Sequence, residues 1–154
     1  VLEESLKSVE SRDPDTAIPA LKAVLAHQAR RAEAAIKKAL SHPCSRVRFF
    51  ALRQVKNQLS KSDYFELSSQ MLYDPQPSMR KRAIKTLSHG RYQPAVPKIV
   101  DLLWDRKRKV DRAAREALVR YGELALPLLK KRAAQVRPDR RRVVCEVISE
   151  IENA

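Results

Sequence analysis

The chain has 154 residues, enough to bury a real core, and 44% of them are hydrophobic. Its only glycines are Gly90 and Gly122, which excludes a phosphate-cradling loop, a dinucleotide fingerprint or a nucleophile elbow, since each needs closely spaced glycines. The formal net charge is +14 and lopsided: residues 1–74 hold 12 basic and 9 acidic side chains, residues 75–154 hold 20 and 9. A field of that sign favours anionic partners without choosing among nucleic acid, acidic protein and anionic lipid.

Helical periodicity recurs along the chain between short breaks. Asp13-Pro14-Asp15-Thr16 ends the first segment and offers Thr16 as the N-cap of the next. Ser41-His42-Pro43 forms the second main joint, with Ser45 as a cap. Ser62-Asp63, Asp74-Pro75-Gln76-Pro77-Ser78, His89-Gly90, Gly122 and Arg137-Pro138-Asp139 mark later joints, and both glycines fall where a helix end calls for a left-handed residue. Reading between joints predicts ten helices, at 1–11, 16–28, 30–41, 44–59, 62–73, 76–88, 93–104, 107–121, 123–134 and 138–152. No segment alternates like a strand.

The segments repeat. Apolar residues at i, i+4 and i+8 recur in Val47/Ala51/Val55, Met79/Ala83/Leu87 and Val110/Ala114/Leu118, and less cleanly in Arg140/Val144/Ile148, with starts 32, 31 and 30 residues apart. A helix face returning at that interval predicts stacked helical hairpins. Between these lie Ala17-Ile18-Pro19, Ala95-Val96-Pro97 and Ala125-Leu126-Pro127, each with proline early in a predicted helix, where its missing N–H costs little.

The runs Val47-Arg48-Phe49-Phe50-Ala51-Leu52 and Asp74-Pro75-Gln76-Pro77-Ser78-Met79-Arg80 resemble HEAT repeats of the HEAT-like, PBS-lyase type. The resemblance implies an all-α fold, a right-handed α-solenoid of about five hairpins, with residues 1–154 as one repeat domain. It implies that Asp74 and Arg80 join a ladder between repeats, and that second helices line a face where partners dock. His42 stands where the pattern wants aspartate, and Asp111 where it wants arginine. Counting pairs back from the C-terminus puts the helix at 16–28 second in its pair, although its Ala-Ile-Pro motif is of first-helix type.

Cations cluster on the later second helices: Arg80, Lys81, Arg82 and Lys85; then Arg106, Lys107, Arg108, Lys109, Arg112 and Arg115; then Arg137, Arg140, Arg141 and Arg142. Arg108, Arg112 and Arg115 share a face by spacing. Cations at helix N-termini oppose the dipole, which points to use by an anionic ligand; the plainer alternative is a solvated face with inter-repeat salt bridges such as Asp74–Arg80. We therefore expect a non-enzymatic interaction module whose basic face binds an acidic protein partner. Nucleic acid held by its phosphate backbone is the second reading. Phe49, Phe50, Tyr73 and Trp104 fit core or turn packing better than base stacking.

The HEAT-like alkylpurine DNA glycosylases are a third reading, through Trp104-Asp105 beside Arg106 and Arg108. Asp105 sits where the turn aspartate belongs, so the structural role is preferred. His27, His42 and His89 show no zinc-binding spacing, and no cofactor is expected. Cys44 and Cys145 read as buried thiols of a reducing compartment, with a disulfide between them as the lesser alternative. No apolar run approaches the ~20 residues of a membrane span, and the N-terminal residues do not read as a secretion leader, so a cytoplasmic setting is expected. Val1 in place of Met is what a segment of a longer polypeptide would show.

Overall fold

A computed structural model describes residues 2–27 and 29–154. These form ten α-helices and no strand: α1 Leu2–Val9, α2 Pro14–His27, α3 Ala29–Leu40, α4 Ser45–Gln58, α5 Lys61–Gln70, α6 Pro77–His89, α7 Val96–Asp101, α8 Arg108–Tyr121, α9 Leu126–Gln135 and α10 Pro138–Glu152. All ten predicted helices are present among the described residues; the expected helical ends at Val1 and Gln28 lie outside them. Short 3-10 turns extend several of them, at Met71–Tyr73 after α5 and at Gln93–Ala95 and Leu102–Trp104 on either side of α7. The helices fall into two compact units, one ending at Leu67 and the other beginning at Ser68.

In the first unit α1 packs on α2 and α3 on α4, and α2 also lies against α4. The Ala-Ile-Pro helix is therefore the second of its hairpin, as the count from the C-terminus requires. Its start differs from the prediction. Asp13, not Thr16, caps α2: Asp13 Oδ1 accepts the Asp15 N–H at 3.2 Å and Oδ2 accepts the Thr16 hydroxyl at 2.7 Å. The two-residue reach of an aspartate lets the helix begin at Pro14, where the missing N–H is harmless. Pro19 consequently lies inside α2, whereas Pro97 and Pro127 stay in the first turns of α7 and α9. Ser45 is no cap either; α4 follows Cys44, with no side-chain cap.

The second unit stacks α6 along α8 and α8 along α10, with α7 on α8 and α9 on α10. The repeated stripe does the burying on two helices, where Met79, Ala83 and Leu87 of α6 and Val110, Ala114 and Leu118 of α8 are all buried; on α10 the expected Arg140/Val144/Ile148 stripe is replaced by Val144, Val147 and Ile151, with Arg140 exposed. Each fully buried leucine contributes roughly 2 kcal/mol relative to exposure. Tyr121 is enclosed with them; its hydroxyl donates to the Tyr92 carbonyl at 2.9 Å, and burial pushes its ionisation upward, so the phenol stays a donor.

Four joints share one construction. At each of these a side chain accepts the N–H two residues ahead: Asp13 from Asp15, His42 from Cys44 at 3.0 Å, Asp74 from Gln76 at 2.8 Å and Asp105 from Lys107 at 2.9 Å. His42 does this through Nδ1, which leaves its proton on Nε2 to donate to the Ser11 carbonyl at 2.7 Å. The departure from aspartate is thus a substitution of one acceptor for another. Six residues on, Arg48 donates to the carbonyls of His42 and Pro43, and Arg80 to those of Asp74 and Pro75.

Arg80 also supplies the ladder, in a way the sequence did not show. Its guanidinium grips the Asp105 carboxylate of the following joint in a fork, Nε to Oδ2 at 2.9 Å and the second nitrogen to Oδ1 at 3.1 Å. Asp74 gives Arg80 its carbonyl oxygen, so the expected Asp74–Arg80 salt bridge is replaced by Arg80–Asp105. Geometry decides this: an arginine six residues past its own joint faces that joint's backbone and the next joint's carboxylate.

The glycines divide. Gly122 ends α8 at φ +59, a conformation that side-chain-bearing residues resist. Gly90 has φ −79, and Arg91 takes the left-handed position instead at φ +50. The Tyr92 N–H then reaches the Leu87 carbonyl and the Arg91 N–H that of Ser88, a Schellman closure displaced by one residue.

Three outcomes follow for chemical denaturation. Arg80→Ala removes one partner of an ion pair whose side chains are 15% and 8% exposed, and should lower unfolding free energy by about 3 kcal/mol. Gly122→Ala places a Cβ in open space yet should cost about 1–3 kcal/mol through backbone strain alone, while Arg91→Gly should raise stability by about 0.5–1 kcal/mol.

Candidate functional site

Alanines bring α6 and α8 together. Ala83 on one helix and Ala113, Ala114 and Ala117 on the other are buried between or beneath them, allowing an axis separation at the close end of about 8–10 Å. The outer edges of the two helices consequently form one surface. Lys81 and Lys85 stand one turn apart on α6, and Lys109, Arg112 and Glu116 on α8. Together with Ala113 they line a concavity of about 320 Å³. Its single acid, Glu116, accepts from Arg112 Nε at 3.2 Å. Lys81, Lys85 and Lys109 have no carboxylate partner among the described residues. Lys109 also lies in the first turn of α8, where no side chain caps the helix, so its field adds to that of the helix terminus.

A second concavity, of about 250 Å³, runs between α8 and α10 and is lined by Leu103, Asp111, Arg112, Arg115 and Val143. Here the charge is spent inside the protein. Arg115 donates to Glu146 at 2.5 Å, and Arg142 reaches the other oxygen of the same carboxylate at 3.1 Å. Hydrogen bonds from Arg115 first and Arg142 second hold the Glu146 carboxyl below its ordinary 4.5.

The sequence-derived cationic set therefore splits by role. Lys81, Lys85, Lys109 and Arg112 converge on one groove. Arg108 is exposed at the start of α8, but it does not join Arg112 and Arg115 as a free row, because Arg115 is turned onto α10. Arg80 is held in the ladder. Arg82 is half-buried and is not a free charge. Arg140 lies over the Trp104 ring at 5.0 Å, and Arg141 donates to the Ala133 carbonyl at 2.8 Å, so both tie α10 to the preceding hairpin elements. Glu116 was absent from the candidate set, although its place four residues after Arg112 marks it as that arginine's partner.

The features behind the glycosylase reading are accounted for structurally. Asp105 is enclosed, with its oxygens taken by Arg80 and the Lys107 N–H. Arg140 covers the Trp104 ring, and its Nε1 is buried with no hydrogen-bond partner among the described residues; neither presents a free group to a base. Tyr73, by contrast, is 64% exposed at its turn, beneath Lys98 Nζ at 5.6 Å. His42 has both ring nitrogens committed. Among the described residues no three or more His, Cys, Asp or Glu side chains come together as a metal site would need. Cys44 is half-buried and Cys145 exposed, both as free thiols; the expectation that both are buried is corrected, since Cys145 falls outside the stripe formed by Val144 and Val147. No helix among the described residues is long and apolar enough to cross a membrane.

A family model described as HEAT repeats matches residues 66–149, more than half of the chain. The chain belongs to the HEAT-repeat family, and its fold class is the all-α HEAT-repeat solenoid. HEAT repeats typically mediate protein–protein interaction and in general act as non-catalytic scaffolds. No curated protein matches the chain.

The Glu146 cluster yields a pH test. A carboxyl held low when folded stabilises the fold above its unfolded value, and that contribution disappears as pH falls through the folded value. The denaturation midpoints of the parent and Glu146→Gln should therefore differ at pH 7 and converge well below pH 4.5.

Proposed function

We propose that the chain is a non-enzymatic interaction module that docks an acidic protein segment on the groove between α6 and α8. The observation that carries this reading is the imbalance within the groove: Lys81, Lys85, Lys109 and Arg112 face a single internal acid, and that acid already engages Arg112. Holding like charges together is unfavourable for the isolated protein, and a negatively charged occupant relieves it. The neighbouring groove supports the choice by contrast, because there each arginine that lies against a carboxylate is bonded to it.

Nucleic acid gripped by its phosphate backbone is the second reading. Arg106 and Lys107 in the turn before α8 and Arg108 at its start are exposed and widen the cationic zone beyond the groove. The same salt-sensitive attraction would serve either ligand, so the test must compare them.

The informative variant is Lys85→Glu/Lys109→Glu/Arg112→Glu, in which all three residues are exposed and the fold is expected to persist, as judged by circular dichroism. Anisotropy titrations with a glutamate-rich peptide should show parent binding that weakens with salt, and at least about a tenfold loss in the variant. Tight parent binding to a 20-base-pair duplex without peptide binding would transfer the site to nucleic acid.

A further inference from the structure

The groove has a composition that discriminates among acidic ligands. Three of its four cations are lysines, point charges on flexible stems with three donors each, rather than guanidinium forks matched to a planar carboxylate. They stand in two rows, Lys81 and Lys85 on α6 facing Lys109 and Arg112 on α8. Residues one turn apart are about 5–6 Å from one another, and the rows are separated by roughly the 8–10 Å of packed helices. A lone carboxylate, with two oxygens and one charge, satisfies one row. A tetrahedral phosphate monoester carries three acceptor oxygens and a charge of about −1.5 to −2, and can accept from both rows at once. The groove volume of about 320 Å³ leaves room for such a group together with the side chain that bears it.

The surplus of charge leads to the same ligand. Counting Glu116 against Arg112 leaves Lys81, Lys85 and Lys109 without a counter-charge in the groove, more than one carboxylate can neutralise.

We propose that the α6–α8 groove is a phosphate-reading site: it takes the phosphorylated side chain of an acidic protein segment, so that phosphorylation of the partner controls docking. This rests on the docking reading above and sharpens it, because it names the group that occupies the groove. The rest of the segment lies across the flanking cations and supplies a weaker attraction that does not depend on phosphate.

The test uses the whole chain and three fluorescent probes: a glutamate-flanked phosphoserine peptide, the same peptide with serine, and a 20-base-pair DNA duplex. The phosphopeptide should bind about tenfold or more tighter than the serine peptide, the scale of one or two added charge-assisted hydrogen bonds. In Lys85→Ala/Lys109→Ala that ratio should fall close to one, with far-UV circular dichroism matching the parent. Lys131→Ala, an exposed lysine of α9 outside the groove, should leave it unchanged. Equal affinity for the two peptides overturns the phosphate inference and leaves the docking reading standing. Binding of the duplex with neither peptide bound overturns both in favour of nucleic acid, and no binding of any probe at low salt overturns both outright.

Discussion

A helical hairpin of thirty residues has more apolar surface than its own two helices can hide from water. In the second unit that surplus is the stripe Met79/Ala83/Leu87 on α6 and Val110/Ala114/Leu118 on α8, and both stripes are buried where the two helices pack along each other and against their neighbouring elements. The small residues in the contact bring the helices close, and closeness is what turns four separate cations into the wall of one groove. The docking surface is thus a consequence of core packing. A larger residue at Ala83 or Ala114 would open the two rows as well as disturb the interior.

The joints keep the helices in that arrangement. An acceptor side chain folds back on the N–H two residues ahead, and at two joints an arginine six residues on binds the carbonyls of the same turn. His42 occupies an aspartate position without changing the geometry, because an imidazole nitrogen offers a lone pair in the same place as a carboxylate oxygen. The repeat is conserved at the level of hydrogen-bond function, and its letters are freer than its atoms.

The same distinction separates structural cations from available ones. Arg80, Arg115, Arg140 and Arg141 each meet a carboxylate, a carbonyl or an aromatic face that a neighbouring element provides. Lys81, Lys85 and Lys109 project where the neighbouring helix offers another cation. Arginine predominates in the first group and lysine in the second. That matches the physical difference between a forked, weakly hydrated guanidinium suited to partly buried bonding and a strongly hydrated ammonium suited to an exposed face.

Helix number, helix order and the buried stripe were legible in the sequence, because each depends on short-range periodicity and on the breaks between segments. The cationic character of the later second helices was legible too, as was Gly122 at a helix end. The cap at Asp13, the left-handed turn at Arg91, the Arg80–Asp105 pair and the inward turn of Arg115 were not. All four depend on where the backbone or side chain of one element meets another, or on a shift of one to three residues at a helix end that propensity leaves open. Sequence by itself determined which residues are apolar, which are charged and how often each returns. Only the tertiary structure decided which charges neutralise one another across elements, because such a salt bridge is settled by distances of a few ångströms between residues far apart in the chain, as Arg80 and Asp105 are at twenty-five positions.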